Sequence, residues 1–135
     1  MTPPLVLAVD CSTTAAKAIV VDAKGELVGA GSHPLDTRSP APHWFEQQAP
    51  DWWTATDLAI RQALSELYDP AAVAAICVTH QRESFVCLDA DDAPIRPAIL
   101  WMDGRADEEV RRYGTERVEL LSGKPAEKVL ESRAA

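Results

Sequence analysis

Basic residues are in short supply: 13 Lys and Arg stand against 21 Asp and Glu in 135 residues, a formal net charge of −8. A field of that sign repels phosphodiester backbones, which argues against a nucleic-acid partner. Long apolar runs are missing too. None approaches the roughly 20 residues needed to span a bilayer. The first residues have neither the basic start nor the extended apolar stretch of a secretory signal. The expectation is a cytoplasmic protein without membrane contact. Cysteines are few and odd in number, Cys11, Cys77 and Cys87, with no CxxC pair and no His/Cys ligand spacing, which argues against a disulfide framework and against structural zinc. His33, His43 and His80 also lack metal-ligand spacing. Glycine is scarce, 6 residues, while 47% of the chain is apolar. That composition suits one domain with a core and is too small for two.

What is present alternates between strand and helix signals. Leu5 to Asp10 is an apolar run closing on a carboxylate, and Ala16 to Asp22 is a second run rich in β-branched residues. Ala23-Lys24-Gly25 then supplies hairpin chemistry before Glu26 to Gly31. Prolines 34, 40, 42 and 50 make His33 to Pro50 a surface loop, excluding regular helix or a central strand. From Asp51 the period changes. Trp53, Ile60, Leu64 and Leu67 predict an amphipathic helix that Asp69-Pro70 stops. Ala74 to Thr79 reads as a short buried strand, Phe85 to Leu88 as another, Asp89 to Asp92 as a polar turn and Pro94 to Trp101 as a further strand. Arg105 to Tyr113 reads as helix, Gly114 as its break, and Thr115 or Glu116 as the start of another turn ended by Ser122 to Pro125. Strand-strand-strand-helix-strand is the order of a ribonuclease H-like, or actin-like, half domain, a mixed β-sheet flanked by helices.

Three segments carry chemistry. Asp10-Cys11-Ser12-Thr13-Thr14-Ala15-Ala16-Lys17 places a carboxylate at a strand end, then a turn of small hydroxyl residues, then a cation. Such a turn presents N–H groups and hydroxyls to phosphate oxygens, while Asp10 can hold Mg²⁺ directly or through water. The plainer alternative is a hairpin whose polar groups satisfy their own backbone. In Thr79-His80-Gln81-Arg82-Glu83-Ser84, an Arg donor and a Glu acceptor beside a buried strand suit the neighbouring hydroxyls of a polyol. Adjacent residues of an extended chain face opposite ways, so Arg82 and Glu83 share one ligand only if the backbone turns there. A solvated ion pair is the alternative. In Trp101-Met102-Asp103-Gly104-Arg105 the indole can pack on the carbon face of a sugar and Asp103 can accept from its hydroxyls. Core packing for Trp101 and a helix N-cap for Asp103 are the competing roles.

Taken in order from about Val6 to Pro125, these segments resemble the FGGY family of carbohydrate kinases. Asp10, Thr13, Thr14 and Lys17 fall in register with the family's D-x-G-T-T strand opening, with Ser12 where the family usually has Gly. Serine there would be strained if the position required positive φ. Gln81-Arg82-Glu83 is similar to the polyol segment of glycerol kinases, whereas pentulose kinases usually carry Gln-Met-His. Pro97 to Arg105 resembles the W-x-D-x-R signature. Trp44-Phe45-Glu46-Gln47, followed by Pro50 and Trp53, is similar to a further family stretch, in which Trp44 and Trp53 are expected to pack the loop onto the helix.

The resemblance implies ATP-dependent phosphorylation of a sugar or polyol hydroxyl, a ketopentose such as xylulose or a glycerol-like polyol, with ATP and Mg²⁺ as cofactors. It implies phosphate binding by Asp10, Thr13, Thr14 and Lys17, the metal role falling to Asp10. It implies substrate binding by Gln81, Arg82, Glu83, Trp101 and Asp103. Family members have two ribonuclease H-like domains, and their general-base aspartate and adenosine pocket lie beyond the matched segment. The 135 residues are therefore expected to be a truncated amino-terminal domain, without the second domain, without a catalytic base and inactive alone. An exposed interdomain face would favour a homodimer. Two other classes compete. A ribonuclease H-like nuclease needs a basic face that this chain lacks; a non-catalytic binding module of the same fold is the stronger alternative.

Overall fold

The computed structural model describes residues 3–114. Strands β1 (Leu5–Cys11), β2 (Ala15–Val21) and β3 (Leu27–Pro34) follow one another, then the two-residue β4 (Glu46–Gln47) and helix α1 (Ala49–Ser65). A 3-10 turn, Pro70–Ala72, leads into β5 (Val73–His80), and β6 (Ala98–Ile99) and α2 (Asp107–Tyr113) complete the order. The described residues fall into two compact units rather than the single one expected from length. The first takes the chain up to Asp36 with Gln48–Gln81; the second takes Thr37–Gln47 and the residues from Arg82 onward.

In the first unit a four-stranded sheet has the order β3-β2-β1-β5. β1 runs antiparallel to β2 and parallel to β5, and β2 runs antiparallel to β3. The hairpin read at Ala23 to Gly25 forms: Gly25 has φ +83, and the Asp22 carboxylate accepts the N–H groups of Lys24 and Glu26 at 2.8 and 2.9 Å. Alternation puts Leu5, Leu7 and Val9 of β1 and Ala16, Ala18 and Val20 of β2 into one buried layer.

Helix α1 closes this layer with its smallest residues. Ala55, Ala59 and Ala63, spaced four apart on one face, are its buried positions. Opposite them on β3 lie Gly29 and Gly31, where an added Cβ would run into the carbonyl oxygens of Ala63 and Ala59. Trp53, expected on the inner face, is 75% exposed, while Trp52, Ile60, Leu64 and Leu67 border the core. Alanine against glycine lets helix and sheet approach closely, and a bulky ring has no room there.

β5 forms as read but is not buried. Ile76 and Val78 are 63% and 65% exposed. α1 packs on β2 and β3, and β5 lies on the far side of β1 from both.

In the second unit the two expected strands at Phe85 to Leu88 and Pro94 to Trp101 shrink to β6 and to isolated pairings of Phe85 with Ile99 and Leu88 with Pro94. Pro94 and Pro97 have no N–H for a ladder. Asp89 makes the expected turn, its carboxylate accepting the N–H groups of Asp91 and Ala93, both at 2.9 Å. The stretch read as a loop from His33 to Pro50 holds more order than its prolines suggest. β3 extends to Pro34, and Gln47 is buried on β4, paired with Ala98 of β6. α2 begins two residues later than read, and Gly114 N–H closes it on Val110 O at 2.7 Å. The expected turn at Thr115 or Glu116 and its end at Ser122 to Pro125 lie outside the described residues.

Candidate functional site

The residues expected to bind phosphate, Asp10, Thr13, Thr14 and Lys17, belong to the first unit. β1 ends in Asp10 and Cys11, the turn is Ser12 to Thr14, and β2 then carries Lys17 to a position directly across the ladder from Asp10. Thr79 of β5 is the partner of Asp10 on the other side. Asp10, Lys17 and Thr79, with Ala8, Val9 and Ile19, line an open depression of about 250 Å³. Ser12 is not among the residues with positive φ. Its N–H and Oγ both donate to Ala15 O, at 3.1 and 2.8 Å. Serine in the glycine position is thus accommodated, and its hydroxyl pins the turn. Burial pushes the Cys11 thiol above its ordinary value, against a Thr56 hydrogen bond that lowers it, so this cysteine is a packing residue.

No group of three or more His, Cys, Asp or Glu side chains able to hold a metal occurs among the described residues. A lone carboxylate beside hydroxyls still fits Mg²⁺, which keeps several waters and takes one or two protein carboxylates plus substrate phosphates. Asp10 is the residue that would hold it.

Gln81 closes the first unit. Its N–H donates to Cys11 O at 3.0 Å, and its side-chain oxygen accepts from Thr13 Oγ1 at 3.0 Å. Expected to contact sugar, Gln81 here is bonded to the turn between β1 and β2.

Arg82 and Glu83, expected to bind sugar, open the second unit. Glu83 has φ +62, so the backbone turns between exposed Arg82 and half-buried Glu83, meeting the condition under which both can address one ligand. A left-handed glutamate is uncommon and costs energy. Ser84 Oγ accepts the Trp101 N–H at 3.1 Å, tying the segment to the 43% exposed Trp101.

Asp103 has other partners than the expected sugar hydroxyls. Its side chain is fully buried. Oδ2 accepts the Phe45 N–H at 2.6 Å and Arg105 Nη2 at 2.8 Å; Oδ1 accepts the Arg105 N–H at 3.0 Å and Nε at 2.7 Å. These four bonds fill the acceptor sites of a carboxylate. Nor is Asp103 the cap of α2, which is Ala106. Arg105, 7% exposed, also donates to Glu46 Oε1 at 2.8 Å and lies over the Trp44 ring at 4.2 Å from its centroid. Trp44 therefore stacks on a guanidinium. Arg96 reaches the same Glu46 oxygen at 3.2 Å. The sequence reading assigned Arg105 no role, although it ends the W-x-D-x-R string and one arginine can fork onto two carboxylates.

The strand order, with two antiparallel pairs, a parallel return and one helix on the layer, defines a ribonuclease H-like, actin-like half domain. A solved structure of a xyloylose kinase from Brucella ovis superposes with a TM-score of 0.84 at 29% identity, covering 90% of this chain and 26% of that one. Residues 5–121 match the FGGY family of carbohydrate kinases, N-terminal domain, and the chain belongs to that family. A glycerol kinase of Thermococcus gammatolerans is 35% identical over 120 residues, 88% of this chain and 24% of that protein. A xylulose kinase of Escherichia coli is 37% identical over 103 residues, 76% and 21% respectively. The chain spans about a quarter of the length of the curated relatives it matches.

Proposed function

We propose that the protein transfers the γ-phosphoryl group of ATP to a hydroxyl of a polyol or ketopentose, and that this chain, as an amino-terminal part, supplies the sugar segment and the phosphate corner. The observation that carries the sugar assignment is the left-handed turn at Glu83. It lets a guanidinium and a carboxylate one residue apart address neighbouring hydroxyls, with Trp101 held to the same segment for the apolar face of the ligand. Asp103 and Arg105 act behind this surface, fixing Trp44, Glu46 and the segment after Trp101.

In the phosphate corner, Lys17 would offset phosphate charge, Thr14 would donate to a phosphate oxygen and Asp10 would hold Mg²⁺ directly or through water. The cation would screen the negative charge on the transferring group. Much of the rate enhancement in such transfers comes from alignment and charge stabilisation. The place of action is the cytoplasm, and the substrate is a polyol or ketopentose, since Gln81-Arg82-Glu83 leans towards glycerol kinases and the Asp89 to Arg105 stretch towards xylulokinase-like members.

Glu83→Gln keeps the size of the side chain and removes the charge of the acceptor. A charge-assisted hydrogen bond contributes about 1.5–3 kcal/mol, so polyol affinity is expected to fall roughly 10- to 100-fold, with Glu83→Ala abolishing binding. Calorimetry with glycerol and xylulose on native and variant chains checks this. Unchanged affinity in both variants removes Glu83 from the site.

A further inference from the structure

Two residues beyond a regular ladder pair, the segment carrying Arg82 and Glu83 turns out of its ladder. Phe85 and Ile99 exchange both N–H···O bonds, at 3.0 and 2.9 Å. In an antiparallel ladder such pairs recur at every second residue, so the next would join Glu83 to Trp101. Glu83 instead has φ +62, and the Trp101 N–H is given to Ser84 Oγ at 3.1 Å. The Trp101 end of this bond is anchored. Ala98, Ile99 and Leu100, immediately before it, are 0%, 2% and 0% exposed, and the Leu100 N–H donates to Phe45 O at 3.0 Å. The other end is less buried: Arg82 is exposed, and Glu83 and Ser84 are half-buried. All of these residues lie in the second unit. A left-handed residue other than glycine persists only where its surroundings hold it.

We infer that Ser84 is a positioning residue for the sugar site. Its hydroxyl oxygen takes the N–H that a regular ladder would give to the Glu83 carbonyl, and so holds the left-handed turn at a fixed place beside the anchored backbone of Trp101. That Glu83 and Trp101 meet a polyol rests on the proposed function; the change of acceptor does not. Ser84 acts through these two residues and needs no contact with the ligand. Ser84→Thr keeps the accepting oxygen, and Ser84→Ala removes it with little change of size.

Amide-resolved NMR, and calorimetry with glycerol and separately with xylulose, on the native chain and the two variants test this. In Ser84→Ala, hydrogen exchange at the Trp101 N–H is expected to quicken about 5-fold, the loss of roughly one hydrogen bond. The Glu83 Cα shift is expected to move from the left-handed toward the extended value, while the Phe85 and Ile99 amides keep their protection. Polyol affinity falls about 5-fold in the same variant. Ser84→Thr restores all three. Unchanged exchange at Trp101, or an unchanged Glu83 shift, in Ser84→Ala overturns the hold on the turn. If both change while polyol affinity stays at its native value, the bond is structural only and the positioning role is overturned. If the native chain answers neither polyol while the exchange effect is present, the sugar reading falls and the positioning role with it, and the hold on the turn stands.

Discussion

Replacing Asp103 with alanine is expected to destabilise the second unit by about 3–5 kcal/mol, the range for removing one partner of a buried ion pair. Arg105 would lose three of its contacts to Asp103 while remaining 7% exposed, with Glu46 as its only described carboxylate partner. The Phe45 N–H would lose its acceptor. Arg105 already has one buried nitrogen, Nη1, without a hydrogen bond among the described residues, as does Arg96 at Nε, so the cluster has little capacity to re-pair. Urea unfolding of the native and Asp103→Ala chains measures the difference.

The same pair sets a pH dependence. Burial raises the Asp103 carboxyl, but the hydrogen bonds from the Arg105 side chain and the Phe45 and Arg105 N–H groups outweigh it and hold the group below the usual carboxylate range. The Arg105 guanidinium is correspondingly raised, first by its bond to Asp103. For a carboxyl depressed in the folded state, the contribution to stability is fully present above its unfolded value, about 3.9. It is lost as pH falls through the folded value. The advantage of the native chain over Asp103→Ala should be constant near neutrality and shrink below about pH 4. An advantage that persists unchanged into strong acid contradicts a charged Asp103.

Gly31→Ala is the second large effect, expected to destabilise the first unit by about 3 kcal/mol, the upper part of the range for overpacking. The new methyl would overlap the Ala59 carbonyl oxygen and approach Ala63 N and Gln62 Cβ, both at 2.9 Å. Two of those three atoms are helix backbone, which cannot rotate away as a side-chain end can. α1 must therefore lift from β3, taking with it the Gln62 bond to the Ser32 N–H at 3.1 Å and the Glu66 bond to the Ala30 N–H at 3.1 Å. Gly25→Ala is a useful contrast. It has open space around the added atom, and its penalty comes from φ +83 alone. Thermal melts of the two variants should rank Gly31→Ala well below Gly25→Ala.

Close packing of this kind explains what was legible in the sequence. Strands β1, β2 and β3 were readable because apolar runs separated by Gly25 and a hydroxyl turn admit few alternatives. On α1 the expected Ile60, Leu64 and Leu67 do border the core, whereas Trp53 does not, because Ala55, Ala59 and Ala63 make the close approach to two glycines. The strands expected at Phe85 to Leu88 and Pro94 to Trp101 are shorter than read, since Pro94 and Pro97 have no N–H to give a ladder. The closeness of Asp10 and Lys17 was legible because the register of one hairpin pairs them. The bond of Gln81 to Thr13 and that of Asp103 to the Phe45 N–H were not, since each joins residues far apart in sequence. The condition placed on Arg82 and Glu83, a turn in the backbone, could be stated from the sequence, but only φ at Glu83 meets it.

The most direct test of the central claim is an amide chemical-shift titration of the native chain with glycerol and, separately, xylulose. Saturable shifts that centre on Arg82, Glu83 and Trp101, and that Glu83→Gln weakens, are the predicted result. Absence of any saturable shift with both ligands, or shifts confined to residues away from that segment, would contradict the assignment of the sugar site.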